Sequence, residues 1–357
     1  MRVADMHCDT ISEILNHRRR GENCDLRDNG LHVDLNRLRE SRYLLQNFAL
    51  YVDMGKVSSP WEELCALYET YRGELAANED ILAPAYRYED LEQNSAQGKI
   101  SAVLTVEEGA VCQGEIGKLE QLYEMGVRML TLTWNYPNEL GYPNLDSRTG
   151  RKVWEDCRRL RAGNCSEQER VEIEAALNRY LCTPDTVNGL TERGREFVYC
   201  MERLGMIVDV SHLSDAGFYD VLQCSTKPFV ASHSNAGAVC GCARNLTDDM
   251  IRGLAERGGC MGLNFCADFL ESVPAGRENP GTIEAVVRHA LHIVQVGGVE
   301  VLGLGSDFDG IDTNRELPGA QSMEKLWHAL HLAGFTEGQL DRIFAENVLR
   351  VYRETWR

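Results

Sequence analysis

Eight short runs of almost uninterrupted apolar residues recur along this 357-residue chain, and they constrain its fold more than any other feature. They are Val3–Met6, Leu44–Tyr51, Ser101–Val106, Val127–Thr133, Met206–Val210, Phe229–Ser232, Cys260–Asn264 and Val301–Gly305. A strand that is apolar at every position, rather than at alternate ones, is covered on both faces, which is the condition of a parallel strand. Helical patterns lie between the runs, among them Glu192–Leu204, Asp215–Cys224, Thr247–Arg257 and Thr282–Val296. Repeated strand–helix alternation predicts an α/β fold, a closed (β/α)8 TIM barrel. A doubly wound open sheet is the rival, and the strand count favours the barrel. Residues 1–357 read as a single domain with two insertions, 10–43 and 143–190. The second follows the fourth candidate strand and holds a helical segment around Ser166–Tyr180; it reads equally as a lid or dimer contact and as a plain loop. Ser322–Tyr352 reads as helices broken at Gly334.

A hydrophobic fraction of 43% supports a proper core, and a formal net charge of −18 repels phosphate backbones and anionic lipids. The opening MRVADMHCDT lacks the basic-then-apolar pattern of a secretory signal, and no apolar run approaches a membrane span of about 20 residues. The closing RVYRETWR lacks the apolar tail of a lipid-anchor signal. The expectation is a cytoplasmic protein that binds neither nucleic acid nor membrane. Its 13 cysteines contain no Cys-x-x-Cys pair, and Cys240-x-Cys242 is the only close one, so they read as reduced, mostly buried thiols.

Histidines and acids sit just after the apolar runs, again and again around the chain. His7 and Asp9 follow the first run, and residues two apart on a strand share a side, so both can face one metal while Cys8 turns away. Glu107 and Glu108 end the third run; Glu107 could bridge two cations with its two oxygens, and Glu108 is expected to be solvated. His212 ends the fifth run and His233 the sixth. Each of these alone is an ordinary capping or loop residue. Two histidines at equivalent positions after consecutive strands are harder to dismiss, and imidazole with carboxylate suits Zn2+ or a similar first-row ion. Asp307 ends the eighth run, and glycines before it would let the backbone approach closely. Arg244, beyond His233, carries a guanidinium fork fit for a carboxylate, though standing alone it would read as a surface ion pair. All of these fall at the strand ends where barrel active sites lie. Neither GLNFC nor GLGSD fits a nucleotide loop, and no Ser or Cys nucleophile constellation is evident.

The segments MHCDT, TVEEG, LTLT, GLTERGRE, DVSH, SHSNAGAVCGCARNLTDD, MGLNF and GLGSDFDG, in this order between Met6 and Gly310, together resemble the membrane (renal) dipeptidase family of the amidohydrolase superfamily. The resemblance implies a metallo-dipeptidase with a small-molecule substrate, a dipeptide whose C-terminal residue could be L or D, cleaved by a metal-activated hydroxide. It implies two zinc ions per chain, one held by His7, Asp9 and Glu107, the other by Glu107, His212 and His233, with Glu107 bridging. Arg244 resembles the residue that grips the substrate carboxylate, and Asp307 the acid/base. A homodimer is implied in the same way, and the chain looks like a bacterial-type cytosolic relative. One departure stands out. Where better-known members have a histidine after LTLT, this chain has Trp134 and Asn135, and Asn135 is the candidate to bind the substrate carbonyl instead. Two rival functions remain. Another amide or lactone hydrolase of the superfamily is disfavoured because LTLTWNYPN lacks a lysine that could bridge metals. A non-catalytic peptide-binding relative is disfavoured by the intact ligand set.

Overall fold

The computed structural model describes residues 1–273, 279–312 and 314–356. Its strands are β1 (Val3–Asp5), β2 (Tyr43–Tyr51), β3 (Leu82–Pro84), β4 (Ile100–Glu107), β5 (Val127–Thr131), β6 (Ile207–Asp209), β7 (Val230–Ala231), β8 (Cys260–Leu263) and β9 (Leu302–Leu304). All pairings between these strands are parallel, in the order β2-β1-β9-β8-β7-β6-β5-β4, and β2 pairs β4 to close the ring. The eight ring strands coincide with the eight apolar runs, so the barrel is the fold. Closure leaves no exposed edge among the ring strands. β3 lies outside the ring: it pairs with Ile100–Ala102 of β4, on the stretch just before β5 takes over at Leu104. Three residues ending in proline carry no periodicity, which is why the sequence pattern does not reveal β3.

The pleat sorts side chains into layers. Register places Tyr51, Glu107, Thr131 and Asp209 level with one another around the ring, so all four point to the same face at its C-terminal end. At the other end the interior is apolar, with Ala4, Leu45, Val103, Met129, Ile207 and Val230 in one buried cluster. The same cluster takes in Val348, Val351, Tyr352 and Trp356, so the helix Asn347–Thr355 plugs the barrel floor. Tyr352 is fully buried, and its hydroxyl donates to Asn47 Oδ1 at 2.9 Å inside the ring.

The two long connections, 10–43 and 143–190, are ordered and helical. Residues 10–43 fold as the helices Thr10–Arg19 and Leu35–Glu40. Their connection is tied to the segment after β9, where His32 N donates to Asp309 Oδ1 at 2.7 Å and Asp309 N donates to His32 Nδ1 at 2.9 Å. Residues 143–190 fold as the helices Ser147–Arg161 and Glu167–Cys182, the second opened by a reciprocal Ser166–Glu169 cap. The helical break at Gly334 is real, with φ +106° between Met323–Leu332 and Glu337–Asp341. No helix among the described residues is long and apolar enough to cross a membrane.

Two interior glycines let neighbouring strands approach closely. A Cβ on Gly305 would lie 1.7 Å from Ser232 O, and one on Gly262 2.1 Å from the same oxygen. Both contacts are to backbone, which cannot swing aside. Gly305→Ala should therefore lower stability by about 1–3 kcal/mol or more, whereas Gly338→Ala, on an open helical surface, should be neutral or slightly stabilising. Thermal denaturation of the two variants checks this, and similar melting points would contradict the close-approach reading.

Candidate metal centre

Each candidate ligand is presented by a strand end. His7 and Asp9 follow β1, and the Cys8 thiol between them turns away toward Asn47 O at 3.3 Å. Asp5, the last residue of β1, is fully buried and latches the barrel seam. Its carboxylate accepts from Ser306 N at 2.9 Å, Ser306 Oγ at 2.6 Å and His7 N at 3.3 Å. Asp209, at the end of β6, repeats the device: it accepts from Ser211 N at 3.0 Å, Ser232 N at 2.9 Å, Ser232 Oγ at 2.6 Å and Thr131 Oγ1 at 2.6 Å. His212 and Asp307 hold left-handed backbone, φ +70° and +62°. Non-glycine residues in such regions cost about 1–3 kcal/mol each and gather at functional sites.

Around Glu107 the side chains converge. Glu107 Oε1 lies 3.0 Å from His212 Nε2 and 3.5 Å from His233 Nε2, and Oε2 lies 3.5 Å from His7 Nε2. His7 Nε2 is also 3.4 Å from Asp9 Oδ2 and 3.9 Å from Asp307 Oδ1. Three overlapping groups could each hold an ion: His7–Asp9–Glu107, Glu107–His212–His233 and His7–His233–Asp307. The first two are the sets anticipated from the sequence, with Glu107 common to both.

Proton positions test whether cations fit. His212 Nδ1 lies 2.8 Å from Asn135 Oδ1, an acceptor, so Nδ1 carries the proton and Nε2 a lone pair. His233 Nδ1 lies 2.8 Å from Ser232 Oγ, whose own proton is committed to Asp209. His233 Nε2 therefore carries a lone pair too. The two Nε2 atoms stand 3.0 Å apart, both facing Glu107 Oε1. Three electron-rich atoms pointed at one another in a buried space repel unless a cation sits among them. Partners on the far nitrogen are the usual means of orienting histidine ligands. His7 Nε2 and Asp9 Oδ1, both buried, likewise lack a hydrogen-bond partner. The donor set fits divalent metal.

Electrostatics agree. Burial pushes His212 down to about 4 and holds His233 well below the usual imidazole range, with Arg244 adding to both falls, so both rings are neutral. Burial also raises Glu107, but the adjoining His7 and His212 imidazoles outweigh it and hold the carboxyl well below its ordinary value. Asp307 is pushed up to about 7, chiefly by burial; His7 opposes the rise, and Asp9 and Glu107 add to it.

Arg244 is 3% exposed, its Nη2 donates only weakly to His233 O at 3.4 Å, and its Nε has no partner. Among the described residues no carboxylate lies within ion-pair distance of it. Phe269 supports its guanidinium at 5.4 Å. Such a group is poised for an incoming anion. Asn264, not singled out from the sequence, donates through Nδ2 to Asp307 Oδ2 at 2.8 Å and orients that carboxylate.

The expectation for Glu108 is overturned. It is fully buried with φ +101°, and it accepts from Ala110 N at 2.9 Å, Trp134 N at 3.3 Å and Asn138 Nδ2 at 2.6 Å. Burial pushes its carboxyl up to about 7. Instead of facing solvent, it holds the Trp134–Asn138 segment in place. Asp5, Asp209, Ser232 and Ser306 were also not foreseen as supports, although Asp209 lies in DVSH and Ser306 in GLGSDFDG.

A family profile described as membrane dipeptidase (peptidase family M19) matches residues 1–154 and 169–356. An uncharacterised dipeptidase of Schizosaccharomyces pombe is 28% identical over 345 residues, 92% of this chain and 74% of that protein. The solved structure of dipeptidase AC, a metallopeptidase of family M19, superposes with a TM-score of 0.84 at 26% identity, covering 100% of this chain and 99% of that one. A metallopeptidase of Rhodobacter sphaeroides, solved with a phosphinate mimic of the dipeptide L-Ala-D-Ala, gives 0.84 at 25% identity with the same coverage. The chain belongs to the membrane dipeptidase family, peptidase family M19, and is a metal-dependent peptide-bond hydrolase.

Proposed function

We propose that this enzyme cleaves dipeptides at a two-zinc centre, with His7, Asp9 and Glu107 holding one ion and Glu107, His212 and His233 the other. The observation that carries the reading is the pair of imidazole lone pairs 3.0 Å apart over Glu107, each enforced by a hydrogen bond on the far nitrogen. Bound there, the ions would polarise the scissile carbonyl and bring the pKa of water toward neutrality. The remaining work falls to the chain. Arg244 takes the C-terminal carboxylate of the substrate, which limits the enzyme to short peptides and fixes the scissile bond over the centre. Asp307, steadied by Asn264, takes a proton from the attacking water and returns it to the departing amine. Asn135 spends its oxygen on His212, and its amide nitrogen is the donor left for the substrate carbonyl.

Three outcomes follow. Asp307→Asn should keep near-wild-type metal content and lose roughly 10²-fold or more in kcat; full activity at full metal content would remove Asp307 from the mechanism. Arg244→Met should lower kcat/KM by roughly 10²-fold, mainly through KM. A predominant fall in kcat with unchanged KM would assign the arginine another role. Metal analysis alongside a screen of L-Xaa-L-Xaa and L-Xaa-D-Xaa dipeptides should find about two metals per chain and turnover of some members. Two metals without turnover would favour a peptide-binding relative, and no bound metal would overturn the site.

A further inference from the structure

The ring order sets two unlike walls against each other across the metal centre. Arg244 follows β7 and Asp307 follows β9, while Tyr51 ends β2 and Trp134 follows β5. In the eight-strand ring β2 lies opposite β7, and β5 lies opposite β9. The polar groups therefore occupy one side of the mouth and the aromatic ones the other, with Glu107 of β4 at the base of the aromatic side.

The aromatic side is a connected surface. The rings of Tyr51 and Trp134 meet edge to face with centroids 4.9 Å apart, and Trp134 meets Tyr136 at 5.9 Å. Trp134 also reaches the ligand ring of His212 at 6.1 Å. Tyr51 shares the register level of Glu107, so it faces the same space. All three aromatics are only partly buried. The segment carrying Trp134 and Tyr136 is held by buried Glu108, which accepts from Trp134 N and from Asn138 Nδ2. Asp53, the acid beside them, is engaged by Lys56 Nζ at 3.0 Å and by Gly55 N at 2.9 Å, so its charge is largely answered locally.

We infer that Tyr51, Trp134 and Tyr136 form the subsite for the side chain of the substrate's N-terminal residue, and that they select aromatic and bulky aliphatic side chains there. This rests on the reading in which Arg244 takes the C-terminal carboxylate. A dipeptide anchored on Arg244 with its carbonyl at the metal centre has its N-terminal residue directed to the opposite wall. That wall offers π-faces and little unanswered charge, which suits apolar area and ring-to-ring contact. The tryptophan in place of the family histidine then alters which dipeptides are taken.

The test holds the C-terminal residue constant and varies the other. Steady-state constants are measured for Gly-Ala, Leu-Ala, Phe-Ala and Lys-Ala with metal-loaded wild type, Trp134→Ala and Trp134→Phe. In the wild type, kcat/KM for Phe-Ala and Leu-Ala should exceed that for Gly-Ala by about tenfold or more. Trp134→Ala should shrink that ratio to within about threefold, chiefly through KM for the apolar members, while Trp134→Phe keeps most of it. A flat wild-type series, an unchanged ratio in Trp134→Ala, or a preference for Lys-Ala that points to Asp53 would each overturn the inference while leaving the dipeptidase reading intact. No turnover of any dipeptide would overturn that reading and the inference with it.

Discussion

Buried like-natured atoms around Glu107 set the terms for the rest of the molecule. One carboxylate, three imidazoles and two further acids are gathered where water is largely excluded, and groups of this kind are expensive to bury unless they are paired or bind metal. Holding them there requires rigid supports, and the barrel supplies them. Every candidate ligand stands at a strand end, and the latches at Asp5 and Asp209 tie adjoining strand ends together directly beneath His7, His212 and His233. The left-handed backbone at His212 and Asp307 is tolerated because the surrounding hydrogen bonds over-determine it.

The segments that carry Asn135 and Arg244 are joined outside the barrel through residues 143–190. Ser147 N, at the start of the long helical insertion, donates to Asn135 O at 2.7 Å. Asn144 donates through Nδ2 to Ala243 O at 2.7 Å and to Asp215 Oδ1 at 2.9 Å, and Ala243 N donates to Leu181 O at 2.7 Å. The insertion thus contacts the backbone of Asn135 at one end and the residue beside Arg244 at the other.

Much of this was legible in the residue order. Apolar runs covered on both faces have a simple pattern, and each barrel strand carried one. The His and acid positions were legible because they recur at the same place relative to those runs. What escaped detection has physical reasons. β3 is too short to show a period. Glu108 beside Glu107 looks like any solvated acid, because its burial depends on a segment more than twenty residues away folding over it, with Asn138 reaching back to its carboxylate. Asp5 and Asp209 stand within apolar strands, and their serine partners lie 301 and 23 residues distant, so no local spacing announces them.

The plug on the barrel floor has a consequence for how the chain folds. The hydrogen bond from Tyr352 to Asn47 spans 305 residues, and the latch from Ser306 to Asp5 spans 301. Contacts of such separation return nothing until the intervening chain has been ordered, and topologies dominated by them fold slowly. While the chain is being made, the strands from β1 to β8 can pair with neighbours, yet the ring seam stays open until β9 arrives and its floor stays unfilled until Tyr352 does. During that interval Leu45, Val103 and Met129 face an unsealed interior. Late closure makes this a chain whose yield in a cell depends on keeping a nearly finished barrel from finding another partner first.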